Sequence, residues 1–204
     1  MENKERILLK AHELFNRYGI RSVSMDDIAA QLGMSKKTLY QYYADKDELV
    51  NAVFSGIMDH NKKECTGCRS NGENAIHEVF LSFDMLEGML SEMNPSILFD
   101  MQKYHPSAFR KFEDYRNNFL YGLIRENIER GIKEELYRSD VDVEILTRYR
   151  LFSIMISFDS DVFPANKTKL VYIEQQLLEH YLWGLATNKG QKLIQKYKNQ
   201  RTKK

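Results

Sequence analysis

Apolar residues return every three or four positions along most of this chain, the spacing of helices that bury one stripe. Ile7, Ala11, Leu14, Phe15 and Tyr18 form the first such run, and Gly19 stands where a left-handed residue would close it. Ser24 follows as an N-cap with Asp27 three places on as its reciprocal partner, and Ile28, Ala29 and Leu32 share the face behind it. Gly33 then ends that helix in a tight turn. Met34 plugs the gap before Ser35, the cap of a second short helix whose buried side is Leu39 and Tyr43. Asp45 and Glu48 make another capping box, and a longer helix runs on from there. A core of Ile7, Ala11, Phe15, Ile28, Leu32, Leu39 and Tyr43 joins these small helices. So little buried surface is marginal alone, so the group is expected to lean on the helix that starts at Asp45.

The same periodicity predicts more helices downstream. They cover 46–65, 74–92, a short stretch after Asn94-Pro95 that ends near Gln102, and a long helix from about residue 107 that closes at Gly131. Two more are expected over 140–160 and 167–188, separated by VFPANK. The stretch 65–73, CTGCRSNGE, has the composition of a loop. With three prolines and ten glycines in 204 residues, an all-α chain of long helices is favoured. No apolar run reaches about eighteen residues, so no membrane span is expected. The first residues lack the basic start and apolar stretch of a signal peptide, which makes a soluble cytoplasmic protein the expectation.

Residues 24–46, SMDDIAAQLGMSKKTLYQYYADK, carry the most specific chemistry. They read as two helices joined by a turn, an N-terminal three-helix unit of helix-turn-helix type. The second helix of the pair has the size to enter the DNA major groove. Ser35, Lys36, Lys37, Thr38 and Gln41 are expected at base edges or nearby phosphates, and Tyr40, Tyr42 and Lys46 at phosphates. Tyr42 has the alternative of being buried. Lys46 sits in a helical first turn, where a cation gains nothing from the helix dipole, and a phosphate partner would explain it.

The run from Lys4 to Val53 resembles the N-terminal domain of the TetR family of bacterial transcriptional regulators. The matching residues are Ile7, Ala11, Leu14, Phe15, Gly19, Ser24, Ile28, Ala29, Gly33, Ser35 to Tyr40, Tyr43, Lys46 and Leu49. Tyr43 departs from the phenylalanine common there. The resemblance covers about a quarter of the chain. It implies an all-helical homodimer, a variable C-terminal ligand-binding domain, and usually repression relieved by a small molecule. On this reading residues 1–48 are the DNA-binding domain, and residues 49–204 form a larger helical domain for effector binding and dimerisation. The last two helices are expected to pair with their copies in a second subunit. One presents Ile145, Leu146, Tyr149, Phe152, Ser153 and Ile156, and the other Val171, Ile173, Leu177, Leu178, Tyr181, Leu182, Trp183 and Leu185. Both are apolar over more than one stripe.

Charge refines this picture. The net charge is +1; the first 50 residues hold eight Lys/Arg and eight Asp/Glu, residues 189–204 hold seven Lys/Arg and no acid, and about −6 is left between them. A neutral reading domain disfavours indiscriminate DNA binding, and the acidic body is repelled by DNA. The basic tail reads as a frayed, solvated end, with extension of the last helix through Leu193, Ile194 and Tyr197 as the alternative.

A soft, aromatic set occupies the middle helices: Phe80, Phe83, Met85, Met89, Met93, Phe99, Met101, Tyr115, Phe119, Phe152 and Met155. Taken singly these residues are ordinary core. As a set they suit an apolar or aromatic effector. Cys65 and Cys68 form a C-x-x-C pair, with His60 and His77 near in sequence. Two reduced thiols are the plain reading; a thiol- or metal-responsive regulator is the alternative. No zinc-protease motif, phosphate loop or nucleophile elbow is present, so neither enzymatic turnover nor a cofactor is expected.

Overall fold

The computed structural model describes residues 2–164 and 167–201. In chain order the helices are α1 (Asn3–Tyr18), α2 (Met25–Leu32), α3 (Lys36–Tyr42), α4 (Lys46–Asn71), α5 (Ala75–Glu92), α6 (Ile97–Tyr104) and α7 (Pro106–Asp114). A π-helical segment (Tyr115–Leu120) leads into α8 (Tyr121–Lys133), and α9 (Val143–Ile156), α10 (Leu170–Leu185) and α11 (Asn188–Arg201) follow. Among the described residues there is no strand, only an isolated bridge between Tyr137 and Ala186. The chain divides into two compact units, Met1–Asn61 with Glu92–Tyr115, and Lys62–Ser91 with Arg116–Lys204.

The first unit is built on the expected core. Ile7, Ala11, Leu14, Phe15, Ile28, Ala29, Leu39 and Tyr43 are buried together with Leu49, Val50 and Val53 of α4. Ile97, Met101 and Ala108 complete the same core, so α6 and the start of α7 pack with helices from the start of the chain. Tyr18, expected on the buried stripe, is exposed; it lies at the last turn of α1 with Arg17 over its ring. Gly19 ends that helix at φ 79°, its amide donating to the Phe15 carbonyl at 2.9 Å. A Cβ there would lie 2.8 Å from Ser96 Oγ, so the position excludes a side chain twice over.

In the second unit α8 packs on α9, and α10 on α9 and α11. Three expectations change here. The stretch 65–73 is no loop: α4 continues to Asn71. Its polar residues serve the helix, Thr66 and Ser70 donating to the carbonyls of Lys62 and Thr66, one turn back. Gly131 does not end α8, which runs to Lys133. It is a packing point, where a Cβ would lie 2.0 Å from the buried Tyr137 ring. The basic tail is not frayed up to Arg201. It forms α11, which buries Ile194 and Tyr197 and is docked by Lys198–Glu179 at 2.6 Å and Arg201–Asp84 at 2.5 Å. Residues 202–204 of the tail, and Ala165 and Asn166 of VFPANK, lie outside the described residues.

Candidate nucleic-acid interface

Local chemistry sets the pose of α2 and α3. Ser24 accepts from the Asp27 amide at 3.1 Å, and Asp27 accepts from the Ser24 amide at 2.8 Å, so the capping box is complete. The Ser24 hydroxyl, donating to Asp27 Oδ2 at 2.6 Å, and then the Ser24 amide hold the Asp27 carboxyl below its usual range. Gly33 takes the left-handed conformation at φ 63°, ψ 30° and turns the chain. Met34 packs half-buried against the core, and Ser35 caps α3 by accepting from the Thr38 amide at 3.1 Å. Asp45 accepts from the Glu48 amide at 2.8 Å, while Glu48 reaches the amide of Ala44.

With Leu39 buried on the inner side, α3 turns Lys36, Lys37, Tyr40 and Gln41 outward. Lys36 Nζ is paired with Asp26 at 2.8 Å, which raises its pKa, and it lies 6.0 Å from the centre of the Tyr40 ring. Thr38 is half-buried and shares a 2.8 Å hydrogen bond with the Ser35 hydroxyl. Tyr42 is half-buried against the core, its hydroxyl accepting from Asn3 Nδ2 at 3.3 Å. Lys46 stands apart from this group. Its Nζ donates to the Ile20 carbonyl at 2.6 Å. Burial pulls its pKa down, against the opposing pull of Asp100, Asp47 and Asp27.

The other residues singled out from the sequence are divided between the two units. Phe99, Met101 and Tyr115 belong to the first unit, and Phe80, Phe83, Met85, Met89, Phe119, Phe152 and Met155 to the second. Met101 is core of the first unit, whereas Phe99 is 57% and Phe152 71% exposed. Phe80 meets the Tyr197 ring at 5.7 Å, and Phe83 lies 4.8 Å beneath the Arg201 guanidinium. Cys65 is buried in α4, and burial pushes its thiol up to about 11; Cys68 moves in the same direction. Burial thus favours the protonated thiol at both positions, which is not the nucleophilic form. Among the described residues no three His, Cys, Asp or Glu side chains are placed to share a metal.

On α9, Ile145, Tyr149, Phe152 and Ile156 make an exposed apolar stripe at helical spacing. Tyr172 and Trp183 are exposed on α10. Ser153, Ile173, Leu178, Tyr181, Leu182 and Leu185, expected at an interface between subunits, are buried within the chain itself.

A capped helix-turn-helix ahead of a helical body is the build of a DNA-binding transcriptional regulator. Residues 7–53 match the family described as bacterial regulatory proteins, tetR family. An HTH-type transcriptional regulator of Staphylococcus aureus strain USA300 is 40% identical over 188 residues, covering 90% of this chain and 92% of that one. With such a relative and that match, this chain belongs to the TetR family of transcriptional regulators and is not an enzyme. An uncharacterized HTH-type regulator of Bacillus subtilis strain 168 is 34% identical over 106 residues, 52% of this chain and 55% of that one, so the similarity there spans about half of each. The fold is also that of Thermus thermophilus FadR, a TetR-family repressor in complex with lauroyl-CoA, with TM-score 0.58, 19% identity, and coverage of 91% of this chain and 96% of that chain. No helix among the described residues is long and apolar enough to cross a membrane.

Proposed function

We propose that the protein is a cytoplasmic repressor that binds a palindromic operator as a homodimer and is released by a small apolar or aromatic effector. The observation that carries this reading is the outward face of α3. There a short helix, capped at Ser35, holds two lysines, a tyrosine and a glutamine at the surface. Lys36, Lys37 and Gln41 are assigned to base edges and adjacent phosphates, with Ser35 and Thr38 at the helix start, and Tyr40, Tyr42 and Lys46 to phosphates. Residues 1–48 supply this reading surface, and residues 49–204 the effector and dimer functions.

The stripe Ile145, Tyr149, Phe152 and Ile156 supports dimerisation, because four large apolar side chains on one helix face exceed what scattered surface residues present. A two-fold dimer places two copies of α3 on half-sites about one helical turn apart. The effector is assigned to the second unit, where Phe80, Phe83, Met85, Met89, Phe119 and Met155 provide adaptable, polarisable side chains. A regulator of the same fold is in complex with lauroyl-CoA, which has an apolar chain, and this agrees with an apolar ligand.

The test is a gel shift with the DNA upstream of the protein's own coding region, repeated against a panel of hydrophobic compounds. A specific complex that at least one compound dissolves is expected. A complex indifferent to every compound contradicts the effector assignment, and no complex contradicts operator binding at that DNA.

A further inference from the structure

Lys36 at the head of α3 and Asp26 in the first turn of α2 form an ion pair between the two helices of the helix-turn-helix. The Lys36 ammonium lies 2.8 Å from one Asp26 carboxylate oxygen and 2.9 Å from the other. Both side chains are 61% exposed, and an ion pair so open to water adds little to stability. Nor is Asp26 needed to close α2, since Ser24 and Asp27 already complete the capping box. Lys36 shares its side of α3 with Tyr40, whose ring centre is 6.0 Å from Nζ, and Lys37 and Gln41 of the same helix are exposed. The pair therefore presents a donor and an acceptor, side by side, at the edge of the reading face. All of these residues lie in the first unit.

We infer that Asp26 is a specificity-determining residue for operator binding: with Lys36 it reads the major-groove edge of one G·C base pair, Lys36 over guanine and Asp26 over cytosine. In that groove guanine offers O6 and N7 as acceptors, and cytosine offers its N4 amine as a donor. O6 and N4 are neighbours, joined across the base pair by a hydrogen bond of ordinary length, about 2.9 Å. The protein sets an N–H donor and a carboxylate acceptor at the same spacing and in the opposite sense. A lysine has three donors, so the bond to Asp26 leaves N–H groups for O6 and N7, and the carboxylate keeps lone pairs for N4. The reversed pair, C·G, would set the ammonium against a donor and the carboxylate against an acceptor. A T·A pair also offers an acceptor beside a donor, but the thymine methyl stands next to O4, where the ammonium would sit. Paired with Lys36, the carboxylate enters the groove as half of a neutral unit, which offsets its repulsion by phosphate.

The inference rests on the operator-binding reading, and sequencing of selected DNA separates the two. The full-length protein, Asp26→Ala, Lys36→Met and Lys37→Met are each incubated with a pool of random duplexes, and the bound fraction is sequenced against the input, with melting temperatures recorded to confirm the fold. The parent is expected to enrich an inverted repeat with one position per half-site at which G·C exceeds C·G by about tenfold or more. Asp26→Ala and Lys36→Met are expected to lose that preference and keep those at other positions, whereas Lys37→Met keeps it. The inference is overturned if Asp26→Ala returns the parent's motif, the result expected of an acid that only screens Lys36 and whose loss tightens binding to every duplex alike. It is also overturned if Asp26→Ala and Lys36→Met alter different positions, if Lys37→Met erases the preference equally, or if the shared position prefers another base pair. A parent protein that enriches no motif removes the operator reading, and this inference with it.

Discussion

Among the described residues the buried Tyr43 hydroxyl has no hydrogen-bond partner, in a ring otherwise wedged into the core of the first unit. Leaving a polar group unpaired in such a place costs free energy, and the ring itself supplies the packing. Tyr43→Phe is therefore expected to stabilise the protein by about 1 kcal/mol. The Lys4 ammonium, 5.9 Å from the ring centre, keeps its aromatic partner in that variant. Thermal unfolding checks it, and a lowered melting temperature would show that the hydroxyl is used. At this scale the sequence was most legible where chemistry is local. Ser24, Asp27, Gly33, Ser35 and Asp45 act as read, because caps and left-handed turns depend on residues three or four apart. The bond between Lys46 and the Ile20 carbonyl was illegible for the opposite reason. Its two ends lie 26 residues apart, which no spacing rule encodes.

Helices were legible from their apolar period, and their ends less so. The stretch 65–73 looked like a loop because its residues are small and polar, yet Thr66 and Ser70 bond back to the preceding turn and the buried Cys65 anchors it. The tail looked unstructured because its charge is unbalanced over 189–204, and the acids that balance it, Asp84, Glu87 and Glu179, lie on α5 and α10. Periodicity also made α9 and α10 look alike. The structure separates them: α10 buries most of its apolar residues in the chain, while α9 keeps a full stripe outside. A charge at the centre of that stripe should break a dimer, since burying an unpaired carboxylate costs several kcal/mol. Phe152→Glu is expected to sediment as a folded monomer at concentrations where the parent is a dimer, and to lose the bivalent gain in operator affinity, about a hundredfold or more. A variant that stays dimeric would move the interface elsewhere.

At the scale of the whole molecule, the chain's order and its packing part company. Residues 92–115 complete the core around the reading helices although they follow α4 and α5, so the first unit is not a simple N-terminal segment. This explains why so small a helix-turn-helix is stable: Ile97, Met101 and Ala108 add burial that the first 48 residues lack. It also explains why the aromatic and methionine set read from the sequence falls into two groups. Composition marks softness, and only packing decides which unit a side chain serves. The central claim is that two copies of one reading helix, held by symmetry, recognise an inverted repeat. Its most direct test is analytical ultracentrifugation of the labelled upstream duplex with the full-length protein, beside a duplex in which one half-site is scrambled. The account predicts two chains per intact duplex, bound at least about a hundredfold tighter than to the half-scrambled one. One chain per duplex, or equal affinity for both, would contradict it.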